Sequence, residues 1–204
     1  MPAIGITGGI STGKTAFCDC LREIIPTAAF FNADQSAREL VDQDPDVGKE
    51  LAAEFGPSIY SAAGDLNRGR LRAIILENAE KKTALEKILH PRIRRQWSAE
   101  AQKHRQPFDF FFADIPLLYE TGGESLCDRV VVVACSPDVQ LGRLLQRGSI
   151  DRSAAEKLVK SQMPLEEKIK RADHLVWNNG GREELAEQAR LLVQLWRENA
   201  WRKD

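Results

Sequence analysis

Short apolar runs alternate with amphipathic segments along most of the chain. The runs are typical of buried parallel strands, which are apolar on both faces, and they occupy residues 3–6, 28–31, 108–113, 130–135 and 175–177. Apolar residues recur at helical spacing over residues 14–25, 137–148 and 185–196, which predicts helices. This alternation predicts an α/β fold in which helices flank both faces of a parallel sheet.

One long part of the chain departs from the alternation. A helix is predicted over residues 47–55, with Asp44 as its N-cap and Pro45 at its first position. Residues 64–105 then show helical periodicity only, with a break expected at His90-Pro91. A helical insertion is therefore predicted, whose many basic residues either meet an anionic substrate or form ordinary solvated faces.

A glycine-rich segment directly follows the first predicted strand. Its sequence, Gly8-Gly9-Ile10-Ser11-Thr12-Gly13-Lys14-Thr15, matches the GxxxxGK[ST] pattern. The glycines let backbone N–H groups point at phosphate oxygens, and the following helix adds its positive end. Lys14 would reach the outer phosphates and the Thr15 hydroxyl would bind Mg²⁺. A plain strand–helix turn would leave Lys14 and the glycines unexplained, so we expect a nucleotide site here.

Composition excludes several classes of protein. The 204 residues carry a formal net charge of −1, which argues against a general nucleic-acid or membrane-surface binder. The four cysteines, at positions 18, 20, 127 and 135, lack metal-binding spacing, and we expect reduced, structural thiols. The phosphate loop begins at once and no apolar run approaches about 18 residues, so we expect a cytoplasmic protein.

Two acidic residues follow predicted strands. The carboxyl ends of parallel strands open on the ligand site, and Asp34 and Asp114 lie at such ends. Asp114 could be a second carboxylate beside the metal. Asp34 could accept the proton of an acceptor hydroxyl, could cap a helix over residues 35–41, or could do both.

Residues 143–171 are predicted to form a short, basic, helical segment. Such a segment could be a lid that closes over phosphates and excludes water, or an exposed amphipathic hairpin with ordinary surface charges. Together with the loop, the acids and the insertion, it favours phosphoryl transfer from ATP to a small acceptor.

Further landmarks follow the loop in order along the chain. They are Asn32-Ala33-Asp34 with Ala37-Arg38, Leu89-His90-Pro91, and residues 116–120, 161–164 and 172–180. In this combination the sequence resembles the dephospho-coenzyme A kinase family. The resemblance implies a P-loop kinase that uses ATP and Mg²⁺ to phosphorylate the 3′-hydroxyl of the dephospho-CoA ribose.

The resemblance also implies a division of labour along the chain. Residues 1–35, 104–140 and 172–204 would form the nucleotide-binding core, residues 36–103 the CoA-binding helical domain, and residues 141–171 the lid. Asp34 would be the catalytic base, with Lys14 and Arg143 as catalytic cations and with Thr15, Asp34 and Asp114 at the metal. The nucleotide would be bound by Gly8, Gly9, Ile10, Ser11, Thr12, Gly13, Lys14, Thr15, Ala16, Arg143 and Asn179, the last two beside the base. We expect a monomer or weak homo-oligomer that acts on a small molecule, without nucleic-acid or membrane partners.

Two positions depart from the family pattern. Asn32 stands where the family has an aspartate, so one carboxylate is an amide with less charge to offer a metal. Ser11-Thr12 replaces a glycine-serine pair in the loop. Asp34, the expected base, is intact.

Two other functions fit parts of the sequence. One is a kinase for a nucleoside or nucleoside monophosphate, because a fold does not determine the acceptor. The other is a nucleotide-dependent binding module without acceptor chemistry. The sequence lacks the Asn-Lys-x-Asp signal of GTP switches, and a basic lid would have no purpose in such a module.

Overall fold

The computed structural model describes residues 3–61, 64–104, 110–147 and 150–198. The chain divides into two compact units, one made of Met1–Phe31 with Ala101–Asp204 and the other of Asn32–Glu100. Its strands are β1 (Ala3–Gly8), β2 (Ala29–Asn32), β3 (Phe111–Asp114), β4 (Arg129–Ala134) and β5 (His174–Trp177). Its helices are α1 (Lys14–Ile24), α2 (Ala33–Gln43), α3 (Pro45–Phe55), α4 (Arg68–Glu77), α5 (Ala79–Lys103), α6 (Pro137–Arg147), α7 (Arg152–Lys160), α8 (Leu165–Lys170) and α9 (Arg182–Glu198).

The first unit is built on a five-stranded parallel sheet in the order β2-β3-β1-β4-β5. β1 lies at the centre, where Ile6 is in register with Asp114 of β3 and with Val131 of β4. The carboxyl ends of these strands therefore meet at one edge, which is where α/β proteins bind ligands. The predicted parallel sheet is confirmed.

Helices cover both faces of this sheet. On one face α1 and α9 pack against the strands through a buried apolar cluster that includes Phe17, Leu21, Val193 and Trp196. On the other face a Cβ on Gly5 would lie 2.9 Å from Leu118, and α8 packs beside β4. The predicted flanking by helices on both faces is thus confirmed.

The second unit is helical and has its own core. Apolar residues of α2 to α5 pack together, among them Leu40, Leu51, Phe55 and Leu89. The predicted start of α3 is confirmed, because the Asp44 side chain accepts hydrogen bonds from the N–H groups of Asp46 and Val47.

Several basic residues of this unit are paired with acids. The ion pairs join Arg68 to Asp42, Lys81 to Glu54 and Arg92 to Glu50. For these three cations the structure favours the solvated-face interpretation over contact with an anionic substrate.

The break expected at His90-Pro91 is wrong, since α5 continues through Pro91. Proline removes one backbone donor and usually kinks or ends a helix. Here Leu89 and Ile93, on either side of the proline, pack on the same core. The Arg92 guanidinium also donates to the Ile88 carbonyl at 2.7 Å, beside the interrupted ladder. Tertiary packing therefore outweighs the local signal.

A side chain of α9 occupies the open edge of β5. The Trp177 N–H donates to Oε1 of Gln188 at 2.9 Å, and Nε2 of Gln188 donates to the Trp177 carbonyl at 3.0 Å. The amide of Gln188 thus makes both hydrogen bonds that a neighbouring strand would make at this residue.

All four cysteines are free thiols, and Cys18, Cys20 and Cys135 are buried, as expected of structural thiols. Within the described ranges, no helix combines the length and the apolar character needed to cross a membrane.

Candidate phosphate-binding site

The phosphate loop joins β1 to α1 and leaves the start of the helix open. Gly13 is the N-cap in the left-handed conformation, with φ 100°, and no side chain caps α1. The first turn also contains no acidic residue. Because the first N–H groups of a helix have no intrahelical partner, this end can bind an anion.

The glycines of the loop allow close approach of the residues behind it. A Cβ would lie 2.2 Å from the Val133 carbonyl oxygen at Gly8 and 2.6 Å from Gln140 Nε2 at Gly9. At Gly13 it would lie 2.0 Å from Asn178 Nδ2. Side chains larger than hydrogen would therefore displace the loop from its support.

The last carbonyl of the loop is held by two side chains. Asn178 Nδ2 donates to the Thr12 carbonyl at 2.8 Å, and Arg143 Nη1 approaches the same oxygen at 3.5 Å. Arg143 Nη1 also donates to the Asn178 carbonyl at 2.8 Å. The structure thus brings Arg143 to the phosphate loop.

The middle of the loop is held by two glutamines. The Ile10 N–H donates to Oε1 of Gln162 at 2.9 Å, and Gln140 Nε2 donates to the Ile10 carbonyl at 2.8 Å. Within the loop, the buried Thr12 hydroxyl donates to the Gly9 carbonyl at 2.9 Å. These hydrogen bonds therefore hold the loop in one shape.

Ser11 has an unusual conformation for a residue with a side chain. Its φ is 58°, the only positive φ at a non-glycine residue in the described chain. Its hydroxyl is buried and has no hydrogen-bond partner among the described residues. Glycine would fit this position without strain.

The side chains of Lys14 and Thr15 point to a role with a ligand. Lys14 is half-buried and Thr15 exposed at the start of α1. Over the described ranges, the structure gives neither side chain a hydrogen bond or ion pair. Both are therefore available to bind a phosphate or a metal.

Asp114 ends β3 close to the same helix. It is buried, with 6% of its surface exposed. Burial raises the pKa of the Cys18 thiol; the charge of Asp114 raises it further and that of Lys14 lowers it. Since both charges act on Cys18, Asp114 and Lys14 both lie near the first turns of α1.

The hard oxygen donors at this place suit Mg²⁺. The Thr15 hydroxyl and the Asp114 carboxylate are ligands of the type that Mg²⁺ takes. In the described parts of the chain, no three or more His, Cys, Asp or Glu side chains form a metal cluster. Magnesium sites of nucleotide enzymes need few protein ligands, because phosphates and waters complete them.

Asn179 lies in the turn after β5. Its side-chain oxygen accepts a hydrogen bond from the Ser136 N–H at 2.8 Å. This bond ties the turns after β4 and β5 together, on the strand ends beside the loop.

Asp34 belongs to the helical unit, and the structure tests the alternative prediction that it caps a helix. α2 begins at Ala33 and its N-cap is Asn32, whose Oδ1 accepts a hydrogen bond from the Gln35 N–H at 2.8 Å. The interpretation of Asp34 as the helix cap is therefore wrong, because the helix starts earlier than the sequence predicted. Asp34 lies exposed in the first turn of α2.

Comparison with known proteins agrees with this geometry. The family model for dephospho-CoA kinase matches residues 2–184. The chain belongs to the dephospho-CoA kinase family. A dephospho-CoA kinase of Geobacillus kaustophilus is 37% identical over 195 residues, covering 95% of this chain and 96% of the relative. Another, of Fusobacterium nucleatum, is 36% identical over 182 residues and covers 89% and 92%.

A solved structure shows the same architecture. The dephospho-CoA kinase from Campylobacter jejuni aligns with a TM-score of 0.72 at 26% identity, covering 97% of this chain and 98% of that one. The predictions of a P-loop kinase fold and of an enzyme of the dephospho-CoA kinase family are confirmed.

Sequence reasoning did not identify four residues that hold the loop. They are Asn178, Gln140, Gln162 and Lys168. Asn178 precedes the predicted Asn179, and its place after an apolar strand was a usable signal. Gln162 lies within the landmark at residues 161–164, but that landmark indicated no contact with the loop. Gln140 and Lys168 carry no local signal, because their partners lie far away in the sequence.

Proposed function

We propose that this chain transfers the γ-phosphate of ATP to the 3′-hydroxyl of the dephospho-CoA ribose and so forms coenzyme A. The observation that carries the proposal is the open start of α1, with Lys14 and Thr15, in a chain of the dephospho-CoA kinase family. Phosphoryl transfer depends mainly on positioning and on charge stabilisation, and the loop is built for both.

The donor half of the reaction lies at the phosphate loop. Backbone N–H groups between Gly8 and Ala16 would hold the phosphates, except that of Ile10, which donates to Gln162. The Lys14 ammonium would offset charge on the transferred group. Arg143, which already contacts the Thr12 carbonyl, would add a second positive charge. Asn179 would lie beside the base.

A magnesium ion fits the oxygen donors of Thr15 and Asp114, with Asp34 as a third candidate. When bound, it would neutralise phosphate charge and orient the β- and γ-oxygens. Thr15 and Asp114 would hold the ion on the side of α1 and β3.

Asp34 is the proposed general base. A base must keep a lone pair for the acceptor proton, and Asp34 is exposed while Asn32 performs the capping. The proton of the 3′-hydroxyl would move to an Oδ atom of Asp34 as the oxygen attacks the γ-phosphorus. The bond between that phosphorus and the β,γ-bridging oxygen would break, and ADP would leave with the bonding electron pair.

The remaining parts have proposed roles in binding and closure. Residues 36–103 would bind dephospho-CoA, using cations outside the three ion pairs described above. Residues 141–171 would close over the phosphates as a lid, which would exclude water from the transfer.

A coupled assay of ADP release tests the proposal. With ATP, Mg²⁺ and dephospho-CoA we expect turnover, and the product should comigrate with coenzyme A. Nucleosides and nucleoside monophosphates serve as competing acceptors and should give little turnover.

Two outcomes would contradict the proposal. A preference for a nucleoside or its monophosphate would make the chain a different small-molecule kinase. ATP binding without transfer to any of the acceptors would support the nucleotide-dependent binding module.

A further inference from the structure

Lys168 is a buried charge beside the phosphate loop. Its side chain is fully buried, in the interior of the first unit. Its Nζ lies 2.8 Å from Oε1 of Glu120, 2.8 Å from the Pro116 carbonyl oxygen and 3.5 Å from the Gly8 carbonyl oxygen. An ammonium has three donors, and three oxygens surround this one.

Two of these oxygens belong to the segments that form the site. Gly8 is the last residue of β1 and the first of the phosphate loop. Pro116 follows Asp114 by two residues, and its carbonyl also accepts a hydrogen bond from the Thr7 hydroxyl at 3.1 Å. Lys168 thus joins the start of the phosphate loop to the segment that leaves Asp114.

The third partner extends the connection to a second point of the loop. Glu120 Oε1 also accepts a hydrogen bond from the Met163 N–H at 3.0 Å. Gln162, the preceding residue, accepts the hydrogen bond from Ile10 in the middle of the loop. The turn between α7 and α8 therefore contacts the phosphate loop through Gln162, and α8 contacts it through Lys168.

Burying an ion pair carries a large desolvation penalty. Apolar residues of similar volume often serve as well or better for stability. Burial lowers the pKa of Lys168, repulsion from Lys14 adds to this, and Glu120 opposes it. A second cation close to Lys14 is unfavourable by itself, but a bound triphosphate would attract both.

We propose that Lys168 is a positioning residue for phosphoryl transfer, which holds Gly8 and Pro116 together so that the loop and Asp114 meet the nucleotide in one arrangement. Glu120 neutralises the lysine and orients it. This role rests on the proposed kinase activity, but its main consequence, tighter nucleotide binding, is measurable without an acceptor.

The test compares Lys168→Met with the double variant Lys168→Met/Glu120→Gln. The single change removes the charge and leaves Glu120 without its cation. The double change removes both charges, while the amide that replaces the Glu120 carboxylate can still accept from the Met163 N–H. We expect the double variant to melt close to the wild type, yet to bind ADP about tenfold more weakly, as expected for lost bonds to a charged group. Its kcat/KM for ATP should fall by about 10²-fold, as expected from a misplaced reacting group.

A control outside the proposed lid and binding residues separates this effect from a general loss of charge. Arg182, the first residue of α9, is exposed and pairs with the exposed Glu23 in the last turn of α1. Arg182→Met should leave the melting temperature unchanged, and the ADP affinity and kcat/KM within about twofold of the wild type, as expected for an exposed pair.

The outcomes decide between positioning and plain support. Wild-type ADP affinity and kcat/KM in the stable double variant would overturn the proposal. Wild-type ADP affinity and kcat/KM in the single variant Lys168→Met would overturn it too. ADP affinity is measured by calorimetry, so absence of turnover with dephospho-CoA in the wild type would overturn the kinase proposal, and the ADP comparison would still decide the role of Lys168.

Discussion

At the scale of single residues, Ser11 shows a conflict between the loop and its sequence. The residue combines a φ of 58° with a buried hydroxyl that has no partner among the described residues. A side chain in the left-handed region costs roughly 1–2 kcal/mol, and a buried hydroxyl without a hydrogen bond adds to this. The loop keeps its shape because Gln140, Gln162 and Asn178 hold its carbonyls and N–H groups.

We expect Ser11→Gly to stabilise the protein. The gain in the free energy of unfolding should be about 1 kcal/mol, after subtracting the entropy cost of a glycine. Ser11→Ala, which removes the hydroxyl and keeps the Cβ, should give a smaller gain. Urea denaturation measures both, and a less stable glycine variant would show that the serine is not strained.

Asp34→Asn should separate catalysis from folding. Because Asn32 caps α2, the change should leave the helix intact while removing the proton acceptor. We expect kcat to fall by about 10²-fold or more, as for loss of a general base, with little change in ATP affinity.

The control for Asp34 lies on the same helix. Glu39 is exposed and accepts a hydrogen bond from Gln35, and Glu39→Gln should leave kcat unchanged. Near-wild-type turnover of Asp34→Asn would remove Asp34 from the mechanism.

At the scale of elements, α5 is a continuous helix with a proline inside. An interior proline costs a helix about 3 kcal/mol, and the packing of Leu89 and Ile93 on the core offsets part of this. Pro91→Ala should therefore raise the free energy of unfolding by about 1 kcal/mol, since the alanine also frees the unfolded chain. Chemical denaturation followed by circular dichroism measures this. A loss of stability would mean that the core of the helical unit depends on a bend at Pro91.

The elements also show what a sequence can and cannot predict. The strands and α1, α3 and α9 were predictable because each depends on its own apolar pattern and on local caps such as Asp44. α5 was not, because the packing of Leu89 and Ile93 overrides a local helix breaker.

Part of the candidate site could also be predicted from the sequence, and part could not. The phosphate loop was predictable from its spacing, whereas the partners of Lys168 lie 160 and 52 residues away along the chain. From the sequence alone, Lys168 cannot be distinguished from an exposed lysine. Only the folded chain shows that it is buried.

At the scale of the whole molecule, two half-buried histidines should make stability depend on pH. Burial lowers the pKa of His174 and of His90 below the ordinary 6.5. His174 Nε2 also accepts a hydrogen bond from Trp196 Nε1 at 3.1 Å, which requires the neutral ring. As the pH falls, these histidines therefore take up protons at a higher pH in the unfolded chain than in the folded protein.

The melting temperature should consequently be constant above the ordinary histidine pKa and should decrease as the pH falls below about 6.5. His174→Gln keeps an acceptor for Trp196 and cannot titrate, so its melting temperature should decrease less between about pH 7.5 and 5.5. Equal decreases in wild type and variant would assign the pH dependence to other groups. Differential scanning fluorimetry in matched buffers measures the difference.

The amide of Gln188 on β5 has a consequence for the behaviour of the protein in concentrated solution. An unpaired strand edge is a template on which another chain can add a strand, and aggregation often starts there. Leu175 and Trp177 are exposed on this strand, so its edge would be attractive to an incoming chain. Because Gln188 already occupies the N–H and carbonyl of Trp177, a single side chain blocks strand addition at this residue.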